Sequence, residues 1–220
     1  MSSENPTEKR IENERKFWNK IANNYDKPSQ LDLAYKLSIQ KCKEILKANE
    51  KVIEIACGTG RISLEIAENA ESVVGLDISE KMIDVATNKK KEKMINNIVF
   101  EVGDGYCTKF DDASFDVVLL FNCIHIVQDP QKLLSEAYRL LKLNGYLITA
   151  TDCYSEKLPL SKKIYSTVPK LMKKLGVIKY LNCFTKNDLE KIIKNNNFTI
   201  LQTDILYTAP INYFICAKKH

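Results

Sequence analysis

The feature that most constrains this chain is a series of short apolar runs separated by helical stretches. Val52–Ala56, Ser72–Leu76, Ile98–Val102, Phe115–Phe121 and Gly145–Ala150 read as strands that are apolar throughout. A strand with one wet face alternates apolar and polar residues, whereas a strand covered on both faces does not. The stretches between them have helical spacing. Ile62–Ala67 is one, and Ser79–Ala86 is a second with Ser79 as its N-cap. Gln131–Lys142 is a third, carrying Leu133, Leu134, Ala137, Tyr138 and Leu141. Alternation of this kind predicts an α/β fold, a Rossmann-like, mostly parallel sheet of about seven strands with helices on both faces. The end of the chain departs from the pattern. Thr199–Tyr207 and Ile211–Ala217 are joined only by a tight link at Ala209-Pro210, which predicts a hairpin and an antiparallel last strand.

Two helical stretches precede the first strand, one over Ile11–Asn24 and one carrying Leu33, Leu37, Ile39 and Leu46, with Pro28 breaking the chain between them. After Thr151 the pattern loosens into a segment with Pro159, Pro169 and Gly176 and a helical piece at Ser166–Leu175, followed by a clearer helix over Asn187–Lys194. A chain of 220 residues, 45% apolar, supports one sizeable core. The expectation is therefore a single domain over 1–220, with N-terminal helices over 1–47 and a small helical lid or insertion over 153–183.

Bulk properties exclude several classes. The net charge of +5 is small against 33 basic and 28 acidic residues, and the lysines are dispersed; Lys89–Lys93, the densest run, reads as a solvated helix end. No nucleic-acid partner is expected from such a charge pattern. The seven cysteines form no C-x-x-C pair, so neither a disulfide framework nor a metal site is suggested, and reduced thiols fit a cytoplasmic protein. The opening MSSENPTEKR has no apolar segment behind it and does not read as a signal peptide. No apolar run approaches the roughly 18 residues of a membrane span.

The chemistry concentrates at strand ends, where open α/β sheets bind ligands. The first strand runs into Cys57-Gly58-Thr59-Gly60. Glycine here lets the backbone turn sharply and approach a ligand, and the following helix presents free amides. The second strand ends at Asp77, 17 positions past Gly60, where a carboxylate can accept from both ribose hydroxyls of a nucleoside. The third ends near Asp104, placed to accept from an adenine amino group. A nicotinamide-binding fingerprint would show a third glycine, where this chain has Ser63, and no Gly-Lys-Ser/Thr of a P-loop follows.

These residues bring out a family resemblance. KVIEIACGTG over 51–60 resembles motif I of the class I S-adenosylmethionine-dependent methyltransferases, and VVGLDISEKMI over 73–83 resembles their segment with the ribose-binding acid. The stretch from Val102 to Ile148 resembles their later motifs, and FWNKIANNYDK over 17–27 is similar to the opening of the ubiquinone/menaquinone-type and related small-molecule methyltransferases. The resemblance implies S-adenosylmethionine as cofactor. It implies Glu54, Ala56, Gly58 and Gly60 around the methionine part, Asp77 on the ribose, and Ile78 and Met82 beside the adenine. Asp104 and the Gly105 amide would read the adenine edge, and Asn122 would lie near the sulfonium. Cys57 departs from the small or polar residue the family often has there, and Gly105-Tyr106 lies in a loop that varies within it. The N-terminal helices would fold over the cofactor.

Methyl transfer to a nucleophile asks the protein mainly for in-line alignment and exclusion of water, with a base only where the nucleophile arrives protonated. Two residues are candidates for a direct role. His125, three positions past Asn122, could take a proton or orient the substrate, or simply pack against the backbone. Tyr25 could contact the methionine carboxylate, line the acceptor pocket or pack on the second helix. The lid sets Leu158, Leu160, Ile164, Tyr165, Val168, Leu171, Met172 and Leu175 among lysines. That mixture suits a small apolar or aromatic methyl acceptor, or a peripheral membrane contact used to reach a lipid-like one. An RNA or protein methyltransferase and a non-catalytic S-adenosylmethionine-binding protein are the alternatives. Asn122-Cys123-Ile124-His125 lacks the Asn/Asp-Pro-Pro-Tyr/Phe expected for adenine-base methylation. Oligomeric state leaves no mark in the sequence.

Overall fold

The computed structural model of the chain describes residues 6–27, 32–175 and 179–220. The expected break at Pro28 and the lid's Gly176 lie outside the described residues. Seven strands form one sheet in the order β3-β2-β1-β4-β5-β7-β6. They are β1 (Lys51–Ile55), β2 (Ser72–Asp77), β3 (Ile98–Val102), β4 (Phe115–Phe121), β5 (Leu141–Cys153), β6 (Phe198–Thr208) and β7 (Ile211–Lys219). The pairs β1–β2, β1–β4, β2–β3 and β4–β5 are parallel, and β7 runs antiparallel to both β5 and β6, as the short hairpin link requires.

Helices α3 (Arg61–Ile66), α4 (Glu80–Glu92) and α5 (Pro130–Leu140) make the crossovers. Ser79 caps α4 by accepting from the Met82 N–H, and Asp129 caps α5 from the amides of Gln131 and Lys132. In the centre, Val117, Val118, Leu119 and Leu120 of β4 are fully buried. Their side chains point alternately into two apolar layers, one with α5 and α7 (Lys186–Asn195), the other with α2 (Asp32–Ile45) and α3. Burial on both faces is why β4 carries no polar alternation. Truncating Leu119 to Ala would cost about 2–5 kcal/mol.

Several boundaries differ from expectation. The first helix, α1, spans Pro6–Ile21, and Ala22–Asn24 tighten into a single 3₁₀ turn. The helix expected over Gln131–Lys142 stops at Leu140, because Leu141 turns extended and buries its side chain. The fifth strand starts there, absorbs 142–145 as an irregularity opposite β4, and continues past Ala150 to Cys153. That extension carries Asp152 into register with Asn212 of β7. The lid contains α6 (Ile164–Lys174), with Pro169 inside it.

Candidate functional site

A cavity with about 950 Å³ of space free of protein atoms, its open mouth included, lies at the carboxyl ends of β1 to β4. Ten of the twelve residues singled out from the sequence line it: Tyr25, Glu54, Ala56, Gly58, Asp77, Ile78, Met82, Asp104, Gly105 and Asn122. Gly60 and His125 do not. Gly60 sits at the start of α3 with φ +73°, and a Cβ there would come within 2.7 Å of the Phe100 ring. Its lack of a side chain serves packing. Gly58 also has positive φ, +54°, but the nearest atom to a Cβ there is Cε1 of Tyr25 at 3.7 Å, on the cavity side. A side chain here would take up space in the cavity.

Asp77 is buried, and its two oxygens accept from the Gly58 N–H at 2.8 Å and the Ser79 N–H at 2.9 Å. The end of β2 is thereby tied to the glycine loop and to the cap of α4. Burial still pushes its carboxyl up to about 6, against the pull of those amides. Glu54 is buried deeper, and burial raises it to about 7. Its Oε2 accepts from both the backbone N–H and the hydroxyl of Ser63. Glu54 therefore closes one of the open amides at the start of α3, a use of the residue that its position in the motif does not reveal.

The N-terminal helix, expected to fold over the cofactor, walls the cavity with side chains that the sequence did not single out. Arg10, Glu14 and Trp18, spaced i, i+4 and i+8 on one face of α1, all line the cavity. Arg10 pairs with Asp104 and with Glu14 and lies 4.3 Å from the centroid of the Tyr106 ring. Asp104 also accepts from the Tyr106 N–H at 3.1 Å. Glu14 is held above the usual carboxylate range by burial, and its Oε1 has no hydrogen-bond partner. Arg10 could not be found from the strand-end logic, because it acts from a different layer of the fold.

A line of polar contacts leads away from the cavity. The Tyr25 and Tyr35 hydroxyls are 3.3 Å apart, and the Tyr35 hydroxyl also bonds Asn122. Asn122, with φ +51° just past β4, accepts from Asn212 Nδ2 at 3.0 Å. Asn212 Nδ2 also donates to Asp152 at 2.8 Å, and the Tyr154 hydroxyl donates to the other Asp152 oxygen at 2.9 Å. Asp152 and Tyr154 line a second cavity, walled by Ile164, Tyr165, Val168 and Pro169 of the lid and by Tyr207, Ala209 and Pro210 of the last hairpin. His125 belongs to this cluster: it is buried, its ring centroid is 5.5 Å from that of Tyr154, and its Nδ1 has no partner. Burial lowers its pKa, partly opposed by Asp152, so it favours the neutral form.

Among the described residues no cluster of His, Cys, Asp and Glu is arranged to hold a metal, and no helix is long and apolar enough to cross a membrane.

Residues 46–209 match a family profile described as a methyltransferase domain. A demethylmenaquinone methyltransferase of Listeria welshimeri is 31% identical over 168 residues, covering 73% of this chain and 70% of that protein. The geranyl diphosphate C-methyltransferase of Streptomyces coelicolor shares the fold with a TM-score of 0.73 over the full length of both chains at 15% identity. A Methanosarcina mazei protein described as an S-adenosylmethionine-dependent methyltransferase does so with a TM-score of 0.67 over 80% of this chain and 95% of its own, at 24% identity.

Proposed function

This chain belongs to the class I S-adenosylmethionine-dependent methyltransferases, and on that premise we propose that it methylates a small apolar or aromatic molecule, holding cofactor and acceptor in the two cavities described above. The observation that carries the reading is the chemistry of the first cavity. Four carboxyl groups (Glu14, Glu54, Asp77 and Asp104) line it against two guanidinium groups, Arg10 and Arg61. Carboxylates accept and do not donate. The set suits a ligand with hydroxyl and amino donors and positive charge. It does not suit a pyrophosphate, which needs the reverse.

The residues present fit S-adenosylmethionine. Asp77 would take the ribose hydroxyls, Ile78 and Met82 would flank the adenine, and Asp104 with the Gly105 amide would read its edge. Glu14, with a buried acceptor left over, is a further partner for a donor of the ligand. Ala56 and Gly58 would border the methionine part, with Glu54 fixing the helix start behind them and Gly60 fixing the turn. When bound, this cofactor supplies a methyl group on a positively charged sulfur, ready for in-line transfer. The chain's own work is to position the acceptor and keep water out. Asn122 lines the first cavity and is linked through Asn212 to Asp152 of the second, and Tyr25 covers the glycine loop.

The second cavity supports an acceptor with an apolar ring and one X–H donor. Its walls are aliphatic, proline and tyrosine side chains, and its one charged group is Asp152, an acceptor. His125, neutral and next to Tyr154, is the candidate to receive a proton there. The acceptor named for the Listeria relative, a demethylated menaquinone, falls within this chemical range.

Isothermal titration with S-adenosylmethionine tests the first cavity, and transfer of labelled methyl to a panel of phenols, quinols, thiols and amines tests the second. Saturable heat with label on the phenols or quinols is expected. Binding with no acceptor of any kind labelled would overturn the acceptor reading. Absence of binding heat would overturn the assignment of the first cavity.

A further inference from the structure

In the lid, charge and apolar surface are segregated together. Between Glu156 and Asp188 there are eight lysines and no acidic residue. The other 189 residues hold 25 of the 33 basic residues and all 28 acidic ones, so outside this stretch the chain is net acidic. The segment is inconspicuous in the sequence because its lysines are dispersed; the missing acids create the field.

On α6 the exposed residues sort into two stripes. Ile164, Val168, Leu171 and Leu175, at i, i+4, i+7 and i+11, are solvent-exposed, Ile164 by 61% and Leu171 by 52%. Leu160, on the turn before the helix, adds to them at 83%. Lys163, Lys170 and Lys174, at i, i+7 and i+11, form a parallel exposed stripe beside them. The opposite side of the helix packs inward through Ser166 and, less completely, Tyr165, Pro169 and Met172. A helix with leucine and isoleucine beside lysine on its open side matches an anionic bilayer surface, where apolar side chains enter the acyl boundary and ammonium groups meet the headgroups. A second copy of this chain would bring the same lysines together and repel.

The stripe is continuous with the second cavity. Ile164 and Val168 belong both to the exposed surface and to the cavity wall. A bilayer pressed against α6 would therefore cover the cavity's rim.

We infer that α6 docks the protein on anionic membrane surfaces and that the second cavity opens toward the lipid, so that a lipid-soluble acceptor enters from the bilayer. The docking rests on the lid alone; the route of the acceptor rests on the acceptor reading given above.

Vesicle flotation of the full chain, without cofactor or acceptor, tests the docking. Vesicles of phosphatidylglycerol and phosphatidylcholine in equal parts should carry the protein, and phosphatidylcholine vesicles should not. Replacing Lys163, Lys170 and Lys174 together by Gln should lower the partition coefficient roughly a hundredfold, at about fivefold per lysine near the surface. Ile164→Glu with Leu171→Glu should abolish flotation. Titration with S-adenosylmethionine should give the same heat in all three proteins, which separates a failed lid from a failed fold or cofactor site. Salt sufficient to shorten the Debye length to about 3 Å should release the wild type. Equal flotation on both vesicle types, none on either, or flotation unchanged in the variants would overturn the docking. So would a dimer in light scattering that the Ile164/Leu171 variant converts to monomer, since the face would then be a contact between copies. If the protein floats but a water-soluble phenol and its long-chain homologue are methylated equally with and without vesicles, the lipid route falls and the cofactor site stands.

Discussion

The two cavities are built differently. The first stands on the ends of four consecutive parallel strands, and its key contacts are backbone amides held by buried carboxylates: Gly58 and Ser79 by Asp77, Ser63 by Glu54. The second lies where a lid meets the last hairpin, and its contacts are between side chains: Asn212, Asp152 and Tyr154. Backbone-anchored geometry comes with the fold, so it can serve one unchanging ligand. Side-chain geometry can be rewritten by single substitutions, which suits the half of the site that selects an acceptor. If this contrast holds, damage to the first cavity should appear as lost cofactor affinity, and damage to the second as lost turnover with cofactor affinity intact.

The largest effect is expected from Asp77→Ala. It removes the acceptor proposed for the ribose and leaves the Gly58 and Ser79 amides without their partner. At about 1–3 kcal/mol for each buried group left unpaired, the dissociation constant for S-adenosylmethionine should rise by a hundredfold or more in titration calorimetry. An unchanged constant would remove Asp77 from the site. On the other side of the comparison, Asp152→Asn should lower kcat/KM for the acceptor roughly tenfold to a hundredfold, through a mismatched acceptor and a disturbed Tyr154. Cofactor affinity should stay within about twofold, because Asn122 and Asn212 lie between Asp152 and the first cavity. A parallel loss of cofactor affinity would mean that the two cavities act as one.

The acids of the first cavity also make it pH-sensitive in a definite direction. Glu54 at about 7 and Asp77 at about 6 are both raised by burial above their unfolded values. Their protonated forms are the ones the empty fold tolerates, so their contribution to stability is complete at acid pH. It is lost as the pH climbs through 6 and then 7. For Glu54 alone the span amounts to something on the order of 3 kcal/mol. A ligand bearing positive charge favours the ionised carboxylates and opposes that loss. The rise in melting temperature on adding S-adenosylmethionine should therefore grow between pH 6 and 7 and flatten in Glu54→Gln. A ligand-induced shift that is flat with pH in the wild type would mean that the carboxylates do not sense the ligand's charge.

The same contrast explains what could be read from the sequence. The sheet, its order of events and ten residues of the first cavity were legible because apolar strands, a glycine turn and strand-end acids are local patterns with one structural meaning. Arg10 was not, because an arginine on a charged N-terminal helix looks solvated until the helix is seen lying across Asp104. Asp152 and Asn212 were hidden for another reason. They are 60 positions apart, and only the extension of β5 past Ala150 and the reversal of β7 make them neighbours. For His125 the sequence left a proton-accepting role and simple packing open; its ring packs edge-on against Tyr154, which lines the second cavity.

The smallest effect tests whether the polar line between the cavities is a coupling or only a contact. Tyr25 stands at its cofactor end. Its hydroxyl touches the line only through the long 3.3 Å contact to Tyr35, and burial pushes its pKa well up, so it stays protonated. Tyr25→Phe keeps the ring that faces Gly58 and packs edge-on to Trp18, and removes only the hydroxyl. The net worth of such a hydrogen bond is about 0.5–1.5 kcal/mol. Cofactor affinity should thus fall about threefold, with turnover of the acceptor unchanged once cofactor saturates. A fall in saturated turnover would instead show that the state of Tyr25 is felt at Asp152, through Tyr35, Asn122 and Asn212. The double variant Tyr25→Phe with Asp152→Asn would confirm that by a non-additive loss.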